Sequence, residues 1–490
     1  MANRMNSNPT HLDLQATAKQ IMQEHGFDPV FPAEVSTQLA SLSEPSKVVS
    51  GRDVRDLRSL LWSSIDNDTS RDLDQIEVAE RVSNGDVKIL IGIADVDAYA
   101  AKQTPIDQHA ARETTTVYAG VCNFPMLPEQ LSTGVSSLLE NQDRPAVVTE
   151  FVVGSDGTVK SSSVYRAVVR NQAQLQYNSV GAWLEGKATA PPKVSASKDL
   201  QEQLKLQDEV ARKLKDQRFQ HGALSLQTDE LHPLVLNNQV VDVVKQQKNH
   251  ATDLIEDFMI AANGVVARLL ENVSSLRRIV RTPKRWDRIV ALAATKGEKL
   301  PAQPDSKALN DLLLRRKAVD PDHFADLSLT VIKLIGPGEY VLERAGEPAP
   351  GHFGLAVQDY THSTAPNRRF ADVVTQRLIK ALLAGQKNPY SDDELTAIAS
   401  NCTLKEDAAR KVEREMSKRL AAIAFQKSVG QVFDVIVTGK TDHGTFVRVL
   451  QPHIEGLLAQ GGQGLDVGDK VRAKLIRTDP QKGYIDFARA

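Results

Sequence analysis

Four aspartates, Asp66, Asp68, Asp72 and Asp74, fall within nine positions directly ahead of a hydrophobic stretch. The segments that follow, IEVAERV, SNGD and VKILIGIADV, predict a strand, a tight turn and a more deeply buried strand, which together make a β-hairpin. Carboxylates crowded at the start of a buried strand repel each other unless a cation neutralises them. The pattern therefore favours a metal site at the mouth of a strand.

Three interpretations of the acidic segment compete. A polar loop that caps a strand would explain any lone pair of aspartates. A calcium-binding EF-hand loop matches several positions, but its sixth position requires glycine and holds Arg71, and a strand rather than a helix follows. In an extended chain Asp72 and Asp74 project to the same side, and Asp66 can fold back onto them. We favour this third arrangement, a catalytic Mg²⁺ that also binds a substrate phosphate.

Composition limits the class of protein. The chain has 490 residues, 41% of them hydrophobic and 25% charged, which predicts a folded protein of two or three domains. Its formal net charge of −2 gives no general attraction for nucleic acid, so a polyanion must be held locally. The chain has two cysteines, far apart in sequence, and it lacks both an apolar signal core and an apolar stretch long enough to span a membrane. We therefore expect a cytoplasmic protein without a membrane partner.

A second chemical motif lies in HFGLAVQDYTHSTAPNRRFADVVTQR, residues 352–377. A loop containing His362 leads through Arg368 and Arg369 into an amphipathic helix. Two guanidiniums at a helix N-terminus, where backbone N–H groups also attract anions, predict a phosphate site. The alternative is an ordinary arginine pair on a helix face. Beside an aspartate cluster we favour the phosphate site.

The two ends of the chain differ from its centre. LQATAKQIMQE and PAEVSTQLASL predict two helices, a small helix-turn-helix-like unit, within the first fifty residues. From Gly430 the pattern changes to short alternating strands separated by Gly and Asp turns, which is typical of a small closed β-barrel. Phe446 and several cations alternate along these strands, as expected for a face that tracks RNA; the cations are Arg448, Lys470, Arg472 and Lys474.

These motifs together resemble the ribonuclease II / ribonuclease R family of exoribonucleases. The markers are IDNDTSRDLDQ, IADVDAY, YAGVCNFPMLPEQLS, DRPAVVTEF, HGAL, LIEDFMIAAN and YTHSTAPNRRFADVVTQR. The resemblance implies an α+β multidomain fold: a helical unit over residues 1–50, an RNB catalytic α/β domain over 52–385, a helical extension over 386–428 and a five-stranded OB-fold barrel of S1 type over 430–490. Relatives carry two cold-shock barrels ahead of the catalytic domain, and about fifty residues cannot hold them.

The resemblance also implies the activity and the site. It implies hydrolysis of RNA from a single-stranded 3′ end toward the 5′ end, releasing nucleoside 5′-monophosphates, with Mg²⁺ or Mn²⁺ as its substitute. The catalytic positions fall on Asp66, Asp72, Asp74 and Arg368. The fourth acidic metal position falls on Gln75, a departure, because an amide binds a hard cation less well. Further RNA-binding positions fall on Tyr118, which stacks on the terminal base, and on Glu256, His362 and Arg369.

We therefore predict a Mg²⁺-dependent 3′-to-5′ exoribonuclease. The missing cold-shock clamp suggests the hypothesis that base-paired substrates approach the site more closely than in relatives. The alternative is a noncatalytic RNA-binding protein, an RNB shell with an altered acidic site, which Gln75 keeps open. RNA is the expected partner, and we expect a monomer without an obligate protein partner.

Overall fold

The computed structural model describes residues 13–42, 53–82, 84–227, 231–236, 239–245, 248–347, 350–442, 444–450 and 454–490. Its largest element is a seven-stranded sheet with the order β1-β8-β7-β4-β3-β2-β9. The pairs β1–β8 and β2–β9 are parallel, and the other neighbours are antiparallel. The strands of this sheet are β1 Val54–Asp56, β2 Ser63–Asp66, β3 Gln75–Arg81, β4 Val87–Ala94, β7 Asp143–Val153, β8 Val159–Arg170 and β9 Ala173–Gln176.

The predicted hairpin is confirmed as β3 and β4, which pair from Gln75 with Ile93 to Arg81 with Val87. Nearly every residue of both strands is buried, which explains the unbroken apolar run in β4. Three smaller pairs of strands surround the main sheet: β5 Val117–Tyr118 with β6 Asn123–Phe124, β10 Leu231–Leu236 with β11 Gln239–Lys245, and β12 Ser275–Ile279 with β13 Glu339–Glu343.

Helices cover the sheet and connect its strands. In chain order they are α1 Leu14–Glu24, α2 Ala33–Ser41, α3 Pro105–Glu113, α4 Tyr177–Leu184, α5 Pro192–Ser195, α6 Lys198–Gln220, α7 His250–Leu269, α8 Trp286–Thr295, α9 Ser306–Val319, α10 Phe324–Ile335, α11 Phe370–Leu383 and α12 Asp392–Ala424. None of the helices in the described ranges is long and apolar enough to cross a membrane.

The two predicted N-terminal helices are present as α1 and α2. Asp13 caps α1 by accepting bonds from the backbone N–H groups of Gln15 and Ala16 at 3.1 and 3.0 Å. The helices do not share a core of their own. Val35 of α2 belongs to the main hydrophobic core, whereas the buried face of α1 belongs to a separate cluster. The two helices therefore pack against different parts of the molecule.

The C-terminal residues form a closed five-stranded barrel with the order β14-β15-β16-β18-β17, as predicted. Its strands are β14 Val432–Thr441, β15 Gly444–Val449, β16 Glu455–Gln460, β17 Lys470–Asp479 and β18 Tyr484–Arg489. The 33-residue helix α12 joins this barrel to the rest of the molecule. Its successive thirds enter three different hydrophobic clusters, through Cys402, Val412 and Ala422 respectively. One helix thus connects the main core, the cluster that contains the buried face of α1, and the barrel core.

Candidate active site

The acidic segment runs from the end of β2 to the start of β3. Asp66 closes β2, and its Oδ1 accepts bonds from the backbone N–H of Asn67 at 2.7 Å and from the Ser70 hydroxyl at 2.9 Å. Asp68 is exposed, Asp72 is half-buried and Asp74 is 2% exposed. The four aspartates therefore differ in environment, and Asp74 lies deepest.

A buried serine holds the segment in place. The Ser137 hydroxyl donates to the carbonyl of Arg71 at 2.6 Å and accepts from the N–H of Leu73 at 2.9 Å. The Leu73 carbonyl in turn accepts from the N–H of Leu138 at 3.0 Å. Arg144 supports this loop by donating to the Ser137 carbonyl at 2.9 Å. These bonds fix the backbone on either side of Asp72.

The arginine loop meets the acidic segment, although about 290 residues separate them in sequence. The backbone N–H of Asn367 donates to Asp74 Oδ1 at 2.9 Å. The Nε of Arg368 lies 3.7 Å from Asp74 Oδ2, and the Arg368 side chain is 46% exposed. Ser136 donates to the Asn367 side-chain oxygen at 2.6 Å. The structure thus brings Asp74 of the acidic segment next to Arg368 of the arginine loop.

Burial opposes the charge on these acids. Burial raises the pKa of Asp74 to about 8, against the opposing effects of Arg368 and of the Asn367 N–H. Burial also raises the pKa of Asp72, and the neighbouring charge of Asp66 adds to that shift. Carboxylates that are desolvated and share one place are stabilised in their ionised form by a cation.

The donor set fits a hard divalent cation but does not enclose one. Among the described residues, no three histidine, cysteine, aspartate or glutamate side chains are grouped so that they could hold a metal ion. The assignment of Asp66, Asp72, Asp74 and Gln75 to a metal therefore stays a prediction. An ion held by two carboxylates would take its other ligands from water and from a phosphate, which is the usual behaviour of Mg²⁺.

Arg369 has a different partner from Arg368. Its Nη2 donates to Asp372 Oδ1 at 2.7 Å, and the same oxygen accepts from the N–H of Ala365 at 2.8 Å. His362 lies behind it, with its Nδ1 2.7 Å from the Tyr340 hydroxyl. Burial lowers the pKa of His362 well below its usual value, so this ring is neutral. Arg369 and His362 thus shape the arginine loop from within, and Arg368 faces Asp74.

Tyr118 stands at the edge of the same site. Its ring is 40% exposed, and its hydroxyl interacts electrostatically with Arg368, Asp72 and Asp74. The backbone N–H of Thr116 donates to the Arg368 carbonyl at 3.0 Å, which ties the tyrosine segment to the arginine loop. An exposed aromatic ring beside carboxylates and a guanidinium can stack on an unpaired base whose phosphate they hold.

Sequence reasoning missed two ionisable groups in the site. Glu77 on β3 is fully buried, neither of its oxygens has a hydrogen-bond partner, and burial raises its pKa well above the usual value. Tyr177 at the start of α4 is half-buried and interacts electrostatically with Asp66, Glu77 and Arg368. The alternation of Gln75 and Glu77 along one face of a buried strand was the available signal for the first of them.

The remaining predicted RNA-binding residues lie apart from this group. Glu256 on α7 is exposed and pairs with Lys248 at 2.5 Å. On the barrel, Phe446 of β15 is half-buried. Arg448 forms a bidentate pair with Asp326 of α10, with contacts of 2.6 and 2.8 Å. Arg448 thus has an internal partner, and its predicted contact with RNA stays a prediction. Three cations are exposed at alternate positions of β17: Lys470, Arg472 and Lys474.

Comparisons with known proteins match nearly the whole chain. The family model described as RNB domain matches residues 54–385, and the model described as RNase II-type exonuclease C-terminal S1 domain matches residues 431–490. Ribonuclease R of Thermotoga maritima is 30% identical over 93% of this chain, and Ribonuclease R of Escherichia coli strain K12 is 28% identical over 95%. The chain spans 68% and 61% of the lengths of these two relatives.

Solved structures share the fold. The apo form of Mycoplasma genitalium RNase R has a TM-score of 0.87 at 23% identity, covering 98% of this chain and 78% of that one. The same enzyme has been solved with ribose-methylated single-stranded RNA and with double-stranded RNA. Yeast Ssd1, described as a pseudonuclease, has a TM-score of 0.71 at 16% identity, covering 96% of this chain and 58% of that one. The shared fold alone therefore does not decide activity.

Proposed function

Because this chain belongs to the RNB family of exoribonucleases, we propose that it hydrolyses RNA from a single-stranded 3′ end and releases nucleoside 5′-monophosphates. The observation that carries the proposal is the contact between Arg368 and Asp74, 3.7 Å apart and joined through Asn367. Their charges serve the two needs of phosphodiester hydrolysis. The carboxylate attracts a cation, and the half-exposed guanidinium offers charge to a phosphate oxygen.

The proposed cofactor is Mg²⁺, with Mn²⁺ as a substitute. Asp72 and Asp74 are the residues that would hold it, with Asp66 and Gln75 nearby on the flanking strands. When bound, such an ion supplies charge neutralisation and lowers the pKa of a water molecule. The chain's own contribution is to fix these oxygens through Ser137 and Asn367 and to place Arg368 opposite them.

The substrate is held by the surroundings of this centre. Tyr118 presents its ring for stacking on the terminal base, a contact that any base can make. The exposed row of Lys470, Arg472 and Lys474 on β17 supplies phosphate contacts for the part of the RNA farther from its 3′ end.

The free thiols of Cys122 and Cys402 agree with a reducing compartment, for which we propose the cytoplasm.

The test is hydrolysis of 5′-labelled RNA with Mg²⁺, with and without EDTA. The protein should shorten the labelled RNA one nucleotide at a time and release mononucleotides. Asp74→Asn should lower the rate of hydrolysis at least about a hundredfold. Asp68→Asn is the matched control, because Asp68 belongs to the same loop but is exposed. It should retain activity. Equal loss in both variants, or no products from the unmodified protein, would refute the proposal.

The second candidate is RNA binding without hydrolysis. It is favoured by Gln75, which stands where an acid is expected, and by the likeness of the fold to a pseudonuclease. The same assay separates the two functions. Gel shifts without products, unchanged by Asp74→Asn, would establish the binding protein in place of the enzyme.

We also propose that base-paired RNA is a substrate once a short 3′ overhang has been engaged. Support comes from the Mycoplasma genitalium enzyme of the same fold, which has been solved with double-stranded RNA. A stem-loop with a 3′ overhang should be digested into the stem, as resolved on a sequencing gel. A uniform stop near the base of the stem would contradict this.

A further inference from the structure

The segment that carries Tyr118 has little structure of its own. Strand β5 contains two residues, Val117 and Tyr118, and pairs with β6 across a turn in which Gly120 adopts a φ of 81°. Val117 is 0% exposed and Ala119 is 2% exposed, whereas Tyr118 between them is 40% exposed. Because neighbouring side chains alternate along a strand, the surface that buries Val117 and Ala119 determines where the Tyr118 ring stands.

That surface is formed by the long helix α12 together with the N-terminal helix α1. Val117 and Ala119 belong to a cluster separate from the main core, here called the α1 cluster. It consists of Ala18, Ile21, Met22, Phe27, Val117, Ala119, Ala409, Val412 and Met416. Four of these residues come from α1 and the turn after it, and three come from α12. The tyrosine segment therefore rests on α1 and α12 together.

Polar contacts of the turn that follows α1 attach it to α12 and to α3, the helix that precedes the tyrosine segment. His25 Nε2 lies 2.9 Å from Glu415 Oε1 of α12, and Lys405 of α12 donates to the Gly26 carbonyl at 2.6 Å. The N–H of Asp28 donates at 3.0 Å to Glu113, the last residue of α3. The helix is thus attached on both sides of the segment that it supports.

The segment is also attached directly to both sides of the site. The Tyr118 N–H donates to Glu413 Oε1 of α12 at 3.1 Å. The Thr116 N–H donates to the Arg368 carbonyl, and Phe370 donates from its N–H to the Thr114 carbonyl at 2.8 Å. The tyrosine segment is therefore bonded to the arginine loop on one side and packed on the α1 cluster on the other. The arginine loop carries the charge proposed to bind phosphate.

We propose that α1 is a positioning element for Tyr118, and that its apolar face sets the height and angle of the ring over the carboxylates. The inference rests on the proposed function, in which Tyr118 stacks on the terminal base. Ile21 is the residue to test, because it is 2% exposed within the α1 cluster. Shortening Ile21 leaves a cavity in the cluster that buries Val117 and Ala119, so the packing that fixes the position of the Tyr118 ring is weakened.

The kinetic test measures KM and kcat on a single-stranded RNA. Ile21→Ala should raise KM by about tenfold, the factor that the loss of one base–aromatic stack costs, and should change kcat much less. Lys19→Ala, on the exposed side of α1, and Leu313→Ala, an equal cavity in the α8–α10 cluster, should leave KM unchanged. A rise in KM with Leu313→Ala would show a general effect of destabilisation and would overturn the proposal.

A double-mutant cycle tests whether Ile21 acts through Tyr118. If it does, Ile21→Ala combined with Tyr118→Ala should be no worse than Tyr118→Ala alone. Additive effects would mean that Ile21 acts independently of Tyr118, which would overturn the proposal.

A measurement without RNA separates this inference from the proposed function. Amide hydrogen exchange over residues 114–126 should be faster in Ile21→Ala than in the unmodified protein, and unchanged in Lys19→Ala and Leu313→Ala. Unchanged exchange in Ile21→Ala would refute the positioning role even if the protein is an active nuclease. If exchange is faster in Ile21→Ala but the unmodified protein releases no nucleotides, the inference that α1 supports the segment stands and the proposed function is rejected.

Discussion

At the scale of single residues, Asp74 shows how one side chain is set for its task. It is almost fully buried, accepts a bond from a backbone N–H and faces a guanidinium, yet burial still holds its pKa at about 8. Asp68 in the same loop is exposed. The same chemical group is therefore placed in two environments six residues apart, and only one of the two carboxyl groups is removed from solvent.

Asp74 should make the stability of the metal-free protein depend on pH. Its folded-state pKa is raised above the ordinary value of 3.8, so between about pH 4 and 8 the native state keeps a proton that the unfolded chain has released. The free energy of unfolding should therefore fall as pH rises through this window, by up to about 1.4 kcal/mol per pH unit. Urea unfolding in EDTA at pH 5 and pH 8 measures this.

Asp74→Asn removes the titrating group, so it should flatten that dependence, and Asp68→Asn should preserve it. Mg²⁺ at pH 8 should stabilise the unmodified protein more than the Asp74→Asn variant, because a cation binds the native carboxylate. Parallel curves for the unmodified protein and Asp74→Asn would contradict the assignment.

Ser137 should matter for both stability and rate. Ser137→Ala leaves the Leu73 N–H and the Arg71 carbonyl without their partner, which should cost about 1–3 kcal/mol of unfolding free energy. Because these bonds fix the backbone beside Asp72, their loss should also lower kcat by about tenfold. Denaturant unfolding and single-turnover hydrolysis measure the two effects. Ser132→Ala is the control, since that buried hydroxyl makes only long contacts of 3.4 and 3.5 Å with carbonyls before it in the chain.

Part of the site could be predicted from the sequence and part could not. The spacing of Asp72 and Asp74 and the arginines at a helix start are local patterns, so the chemistry of both segments could be inferred before their contact was known. Ser137 and Asn367 were missed because their roles depend on partners 64 and 293 residues away. A serine or asparagine carries no local signal of such a partner.

At the scale of elements, side-chain contacts attach the barrel both to the catalytic body and to the connecting helix α12. Arg448 of β15 pairs with Asp326 of α10, and their side chains are 14% and 28% exposed. Arg419 of α12 also donates to the carbonyl of Gln481 at 3.1 Å. The strand that carries Arg448 was predicted correctly from the sequence. Its pairing with Asp326 could not be predicted, because residue identity does not show which cation an internal carboxylate will bind.

The Arg448–Asp326 pair should contribute to the stability of the docked barrel. A double-mutant cycle with Arg448→Ala and Asp326→Ala should give a coupling energy of about 1–3 kcal/mol, because the pair is bidentate and mostly buried. The matched control is the Arg477–Asp479 pair on the barrel, whose arginine is 58% exposed, and which should couple by less than about 1 kcal/mol. Thermal unfolding measures both cycles. Equal coupling in the two pairs would contradict the docking role.

At the scale of the whole molecule, a nearly neutral chain must bind a polyanion through a local surface. The exposed cations of β17 form such a surface. Replacing Lys470, Arg472 and Lys474 together with alanine should reduce the slope of log affinity against log salt by about 2, since each single-strand phosphate contact contributes about 0.7. Fluorescence anisotropy with a labelled RNA in EDTA measures the slope.

The control for that experiment removes the same charge elsewhere. Lys19, Lys296 and Lys299 are exposed residues outside the barrel, and their combined replacement with alanine should leave the salt slope nearly unchanged. A matching fall in both triple variants would show that net charge, rather than the β17 surface, governs the affinity.

Helix α12 has a geometric consequence for the products of the reaction. Its 33 residues give it a length of about 50 Å, and it is packed at three levels along that length. Because Glu413 of α12 also accepts the Tyr118 N–H, the same helix holds the barrel at a fixed distance from the proposed site. Under the proposed function, an RNA long enough to reach from the site to the β17 surface would be bound at both places, and a shorter RNA at the site alone. RNA fragments too short to reach both places should dissociate between successive cuts, so the rate of degradation should fall at that length.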